Sequence, residues 1–309
     1  HGAACYTTGA MNLETFRKRL TGRLRLFSLP VATCSKRFGD EYEQDAAFIL
    51  SFVEGMAEKL GHDLDTVLTD YLDYAGNQVE EQKAFNQSGR YAHSRFEEVR
   101  ELVESEDFQQ RNIYTLSLSY VLSPYRYQLL RYVRDSVNHH LQPGDRCLEI
   151  ATGTGIDATV ASRTGADIET YDLNPFSQAC LDVLQPPGHV HFHPRFYDFD
   201  EEEAYDHCLM IELLEHLEQP ADYLEKARRV LKPNGTATLT FAMRMPQADH
   251  LYLFRSIEEP QKMVEEAGFE RLDQDLFVSS FFKENEDKEN LVDSPEHAAV
   301  YACTVRRKK

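Results

Sequence analysis

The stretch Asp145-Arg146-Cys147-Leu148-Glu149-Ile150-Ala151-Thr152-Gly153-Thr154-Gly155 decides the fold of this chain. Residues 147–150 read as a short buried strand that ends in an acid and runs straight into a loop of small residues. A glycine loop between a strand and a helix lets a ligand come close to the backbone. A second acid, Asp172, follows 17 residues after Gly155, at the end of the next apolar run, 168–171. Acids at the tips of two successive strands, with a small-residue loop between them, suit a ligand that carries both a ribose and a cationic amino-acid group.

Downstream of this stretch the hydrophobic period stays short. Apolar runs at 147–150, 168–171, 190–192, 207–211 and 236–241 alternate with helical stretches. That alternation predicts a doubly wound, mostly parallel α/β sheet with helices on both faces. Residues 231–235 read as a turn between a helix and a strand, and 260–268 as a short helix stopped by Gly268. Two further strands are expected at 270–282 and 297–306, separated by an exposed acidic segment at 284–293. They bring the sheet to seven strands within a domain spanning 142–309.

Upstream, residues 41–141 read as helices only. Phe48, Ile49, Phe52, Val53 and Met56 recur at helical spacing, as do Leu64, Val67, Leu68, Tyr71 and Leu72. Glu97, Glu98, Glu101, Glu104, Glu106 and Asp107 mark the solvated face of a third helix. Ser123-Pro124 starts a last helix, with serine as N-cap and proline in first position. Pro143-Gly144 ends it. An all-α domain over 11–141 is therefore expected to precede the sheet and to act as its lid. Met11 reads as a start, and residues 1–10 carry no functional weight.

Composition narrows the partners. The net charge of -19 repels a phosphate backbone, which speaks against nucleic acid. Residues 11–37 run the other way, with seven Lys/Arg against the single acid Glu14. They read as a solvated basic arm on an acidic body. No apolar run reaches the length of a membrane span. The scattered cysteines, Cys5, Cys34, Cys147, Cys180, Cys208 and Cys303, lack any Cys-x-x-Cys and suit reduced thiols in a cytoplasmic protein.

Gly153-Thr154-Gly155-Ile156-Asp157-Ala158 also fits the dinucleotide fingerprint Gly-x-Gly-x-x-Ala. Glu149 speaks against that reading, because at the strand tip it would repel a pyrophosphate. The same carboxylate suits the ammonium of S-adenosylmethionine. Residues 148–155 resemble the first motif of class I S-adenosylmethionine-dependent methyltransferases, with Ala151 where a glycine is usual. Residues 171–175 resemble the second motif, residues 197–199 the segment beside the adenine, and residues 205–217 the fourth strand and its turn. Residues 229–235 resemble the approach to strand five, with Asn234 for a common glycine, and residues 267–269 the late helix end. The resemblance covers 140–306. It implies a cofactor site made of Glu149, Ala151, Gly153, Gly155, Asp172, Leu173, Asp198, Phe199 and Glu212.

The resemblance implies methyl transfer to a small metabolite, an in-line displacement that needs alignment and exclusion of water. His216, after the fourth strand, is the candidate general base and substrate contact. Tyr114, Tyr120, Tyr125, Tyr127 and Tyr132 cluster before the sheet around Arg126. From this cluster Tyr125 is the candidate catalytic tyrosine, its ring facing the sulfonium, while Tyr120 and Arg126 are candidate substrate contacts. No metal is expected. The alternative is a divalent ion on Glu212, Glu215 and His216, since similar Glu-x-x-Glu-His runs bind one in some related enzymes. Two other outcomes stay open: aminobutyrate transfer or ring closure on the same cofactor, releasing methylthioadenosine, and a non-catalytic binding partner. The acceptor, its nucleophilic atom and the oligomeric state are not legible.

Overall fold

A computed structural model describes residues 13–23, 25–279 and 298–308, with backbone only at 19–23 and 25–27. Six helices come first: α1 (Leu13–Arg23), α2 (Arg25–Leu60), α3 (Leu64–Ser88), α4 (Phe96–Val103), α5 (Glu106–Leu122) and α6 (Pro124–His140). The expected basic arm is therefore helical. Its Arg17 lies 3.5 Å from Glu43. The expected single acidic helix is two, because Ser105 adopts an extended conformation between α4 and α5. Its hydroxyl donates to the Leu102 carbonyl at 2.7 Å and accepts from the Phe108 N–H at 3.4 Å, so one residue closes both helix ends. The six acids assigned to that face are exposed. Ser123 does flank α6, but its hydroxyl has no partner, so proline alone marks that start.

The second half alternates as expected: β1 (Arg146–Ile150), α7 (Ile156–Ser162), β2 (Asp167–Tyr171), α8 (Phe176–Leu184), β3 (Val190–His193), β4 (Tyr205–Met210), a 3₁₀ turn (Leu214–His216), α9 (Pro220–Val230), β5 (Leu231–Met243), α10 (Glu258–Glu266), β6 (Phe269–Val278) and β7 (Ala299–Arg307). The seven-stranded sheet has the order β3-β2-β1-β4-β5-β7-β6. The first five strands are parallel, and β7 runs antiparallel between β5 and β6. Strand five begins earlier than its apolar pattern. Of the turn expected at 231–235, Leu231 already pairs with Tyr205, but the register jumps to His207↔Thr236, so 232–235 loop out of the strand. Asn234 takes φ 65° there. A Cβ on Gly235 would lie 2.9 Å from the Lys232 carbonyl oxygen, which excludes a side chain. The acidic segment 284–293 lies outside the described residues.

The helices do not sit apart from the sheet. One hydrophobic cluster joins Phe52 and Val53 of α2, Leu118 and Val121 of α5 and Val133 of α6 to Cys147, Ile168 and Leu209 of the sheet. A buried hydroxyl seam fastens α6 to the sheet: Ser136 Oγ lies 2.7 Å from Thr238 Oγ1 and 2.9 Å from Thr304 Oγ1. His207 completes it, with its ring nitrogens 2.7 Å and 2.9 Å from the Thr236 and Thr238 hydroxyls. The core thus runs across the 141/142 boundary, and α6 packs as a layer of the sheet. No helix among the described residues is long and apolar enough to cross a membrane.

Candidate functional site

The strand order reverses between β1 and β4, where the chain leaves in opposite directions and opens a crevice at the strand tips. The loop after β1 forms its floor. Ala151, Gly153 and Gly155 all take positive φ, at 71°, 51° and 72°. For Ala151 this is a strained conformation, held because its N–H and that of Thr152 both donate to the Tyr171 carbonyl, at 2.9 Å and 3.2 Å. A Cβ on Gly153 would meet nothing within 4 Å, so the space above it is open. A Cβ on Gly155 would lie 2.8 Å from Leu181, so this glycine serves the packing of α7 on α8 rather than a ligand. Asp172 is fastened to the same floor. Its two carboxylate oxygens accept from the Gly153 and Asn174 N–H groups, at 2.7 Å and 2.8 Å. Burial raises its pKa, and these backbone bonds oppose the rise.

Above the floor lies a cavity of about 860 Å³. Ala151, Gly153, Asp172, Leu173 and Tyr171 line one side, with Arg195, Phe196 and Tyr197 beyond them. The opposite wall is largely apolar and comes from the helices: Phe96, Val99 and Val103 of α4 with Phe108, Ile113 and Leu116 of α5, interrupted by Glu104, Gln109 and Asn112. Leu213, Leu217 and Tyr223 close the end near His216. Asp198 and Phe199 are absent from these walls. Asp198 is an exposed partner of Arg195 at 2.5 Å, and Phe199 is buried against Tyr197 and Tyr223. Tyr197 takes the wall position that the sequence reading gave to its neighbours.

Glu149 is likewise not on a wall. It is 2% exposed and accepts the Thr170 hydroxyl, which lies 2.6 Å from that of Thr152. Burial, with Asp157 nearby, pushes its pKa well up.

A smaller chamber of about 120 Å³ continues inward past Ala151, Gly153 and Thr154. Here the structure brings together Tyr120, Tyr125, Arg126, Glu212 and His216. Arg126 bonds Glu212 and lies over the Tyr120 ring, 5.0 Å from its centroid. Burial works against the guanidinium charge, but Glu212 outweighs it and raises the pKa. Tyr125 Oη approaches Met245 Sδ at 3.9 Å. Tyr114, Tyr127 and Tyr132 go elsewhere, to His62, Asp45 and Thr304. The sequence reading missed Tyr74, Asp157, Gln247, Asp249 and His250, which also line the chamber. Burial lifts Asp157 to about 6, with Arg126 opposing.

His216 is oriented by Asp249. Its Nδ1 lies 3.2 Å from the Asp249 carbonyl and 3.4 Å from its carboxylate. With a proton on Nδ1 in these contacts, Nε2 keeps its lone pair. Burial opposes the imidazolium, yet Asp249 and Glu215 raise its pKa above the usual histidine value. Both Glu215 oxygens are buried without a partner, and burial beside Glu212 raises that carboxyl's pKa. Glu215, His216 and His250 each offer a ligand atom within 4.8 Å of the others. His250 Nδ1 is 2.7 Å from the Met245 carbonyl, a contact that fixes a ligating imidazole's tautomer. This donor set fits a divalent ion, with His250 in the place that the metal alternative gave to Glu212, which Arg126 holds.

Residues 125–274 match the family model described as a methyltransferase domain. The chain is 30% identical over 133 residues to the ubiquinone biosynthesis O-methyltransferase of Nitrosococcus oceani, covering 41% of this chain and 54% of that one. It is 29% identical over 107 residues to the mitochondrial ubiquinone biosynthesis O-methyltransferase of Schizosaccharomyces pombe, covering 33% and 39%. The chain thus spans about half or less of the length of these curated relatives. Among solved structures, phosphoethanolamine N-methyltransferase 2 of Haemonchus contortus, in complex with S-adenosyl-L-methionine, shares the fold. Its TM-score is 0.51 at 13% identity, over 68% of this chain and 60% of that one.

Proposed function

We infer that this chain, through residues 125–274, is a class I S-adenosylmethionine-dependent methyltransferase, and we propose that it methylates a small, largely apolar metabolite. The observation that carries the reading is the single cavity in which the Gly153–Asp172 floor, an apolar helical wall and His216 meet. Asp172 is the partner of the ribose hydroxyls, and the open space above Gly153 takes the nucleoside. Tyr171, Leu173 and Tyr197 enclose the base. The helical wall selects the acceptor and excludes water from the sulfonium, whose departure as a neutral thioether needs alignment above all. Residues 13–122 serve as that lid and selector.

His216 removes the acceptor's proton where the nucleophile arrives protonated. Asp249 holds the ring in the tautomer this step requires. Tyr125 and Tyr120 present their rings on the chamber side. A divalent ion on Glu215, His216 and His250 would lower the pKa of an acceptor hydroxyl. The unpartnered oxygens of Glu215 favour that second reading. The charge of -19 speaks against nucleic acid as substrate, and the five buried free thiols among the described residues suit a cytoplasmic enzyme.

Thermal shift with S-adenosylmethionine, S-adenosylhomocysteine and NAD tests the premise, since a ligand of the folded state raises the melting temperature. Stabilisation by the two sulfur nucleosides alone is expected. Mass spectrometry of turnover with candidate acceptors then separates the chemistries. S-adenosylhomocysteine is the expected product, and methylthioadenosine would replace methyl transfer with aminobutyrate chemistry.

A further inference from the structure

Two acids near the first loop, Glu149 and Asp157, are candidates for the amino-acid end of the cofactor, and the sequence favours Glu149. Glu149 stands at the strand tip but is sealed under the floor, with Thr170 as its partner, and it lines neither the large cavity nor the chamber. Asp157, in the first turn of α7, lines the chamber, and its Oδ1 is buried without a partner. Burial opposes its ionised form, and the nearby Arg126 guanidinium favours it.

The chamber also holds unpartnered oxygens on Glu212 and Glu215, and an unpartnered donor of opposite character. Arg126 is 6% exposed and bonds Glu212, yet its Nε has no acceptor. An ammonium offers donors only, and a carboxylate acceptors only. One zwitterion therefore satisfies Asp157 Oδ1 and Arg126 Nε together. Gly153 lines both spaces, so a ligand with its ribose at Asp172 reaches the chamber by passing over Gly153.

We propose that Asp157, rather than Glu149, receives the α-ammonium of the cofactor, with Arg126 Nε turned to its carboxylate. The 120 Å³ chamber is then the subsite for the amino-acid end. The proposal rests on the S-adenosylmethionine reading above. Glu212 bonds Arg126 through Oε2, with Oε1 unpartnered, and is assigned as the counter-charge that holds the guanidinium in place.

The test is calorimetric titration of S-adenosylhomocysteine and of 5′-methylthioadenosine, which lacks the aminobutyrate arm, into the wild type, Asp157→Asn and Glu149→Gln. Asp157→Asn should weaken S-adenosylhomocysteine by about 30-fold or more while leaving methylthioadenosine within about twofold. Glu149→Gln should keep the wild-type ratio of the two affinities, whatever it does to stability. An unchanged ratio in Asp157→Asn, or a collapsed one in Glu149→Gln, overturns the assignment. Asp157→Ser replaces the amide variant if that one does not fold. A wild type that binds neither nucleoside would instead refute the cofactor reading itself, a result distinct from a ratio that fails to move.

Discussion

Ala151 and Tyr120 line one chamber, yet they reach it by different routes. Ala151 is placed by a turn: its own positive φ and the Tyr171 carbonyl above it suffice. Tyr120 is placed by packing, at the end of a helix whose buried face joins α2, α3 and α6 to the sheet. The floor is backbone and one pinned carboxylate, suited to a ligand part that never varies. The roof is side chains from helices distant in sequence, suited to a part that does. Damage to the floor should therefore cost cofactor affinity, and damage to the roof should cost acceptor recognition or stability.

The largest expected effect breaks that comparison at its joint. Arg126→Gln leaves Glu212 buried without a counter-charge and should lower unfolding free energy by about 3 kcal/mol. Denaturant melts of both singles and the Arg126→Gln/Glu212→Gln pair check it. A double mutant no more stable than the sum of the singles would show that roof and floor are not coupled there. Next, Asp172→Ala removes the carboxylate held by Gly153 and Asn174. Affinity for S-adenosylhomocysteine should fall about 100-fold. A loss under fivefold would move the ribose elsewhere.

Roof substitutions sharpen the same contrast. Phe96→Ala or Val99→Ala should raise the acceptor KM about 10-fold, by removing apolar contact from the outer wall. The cofactor Kd should stay unchanged, and equal losses in both would merge roof and floor into one site.

The effect that is smallest at neutral pH concerns the seam between α6 and the sheet. Burial, with His140 nearby, drops His207 to about 3. A histidine depressed in the fold takes up its proton on unfolding, so stability is complete above the ordinary value near 6.5 and is lost as pH falls toward 3. The slope should reach about 1.4 kcal/mol per pH unit from this residue. His207→Gln should flatten the acid limb of the stability profile, and an unchanged limb would remove His207 from the seam's acid response.

The contrast also explains what could be read in advance. β1, its loop and Asp172 are local patterns, and they folded as their spacing implies. The antiparallel placing of β7 between β5 and β6 is a long-range pairing and left no local mark. The burial of Glu149 was not legible, because a strand-tip acid points to either face, and only the packed structure shows that it turns under the floor. Asp249 and His250 were missed for a different reason. They follow Met245-Pro246 beyond β5, where loops at strand tips collect ligand contacts, but nothing local distinguishes that loop from others. Phe96, Val99 and Phe108 looked like ordinary helix residues, because the face they cover is made by the sheet.

Hydrogen exchange with and without S-adenosylhomocysteine tests the floor-and-roof account most directly. The account predicts slowed exchange at 151–157 and 172–174 in the floor, and at 120–126 in the roof, with β6 and β7 unchanged. Protection confined to other segments, or the same floor protected by NAD and not by S-adenosylhomocysteine, would contradict it.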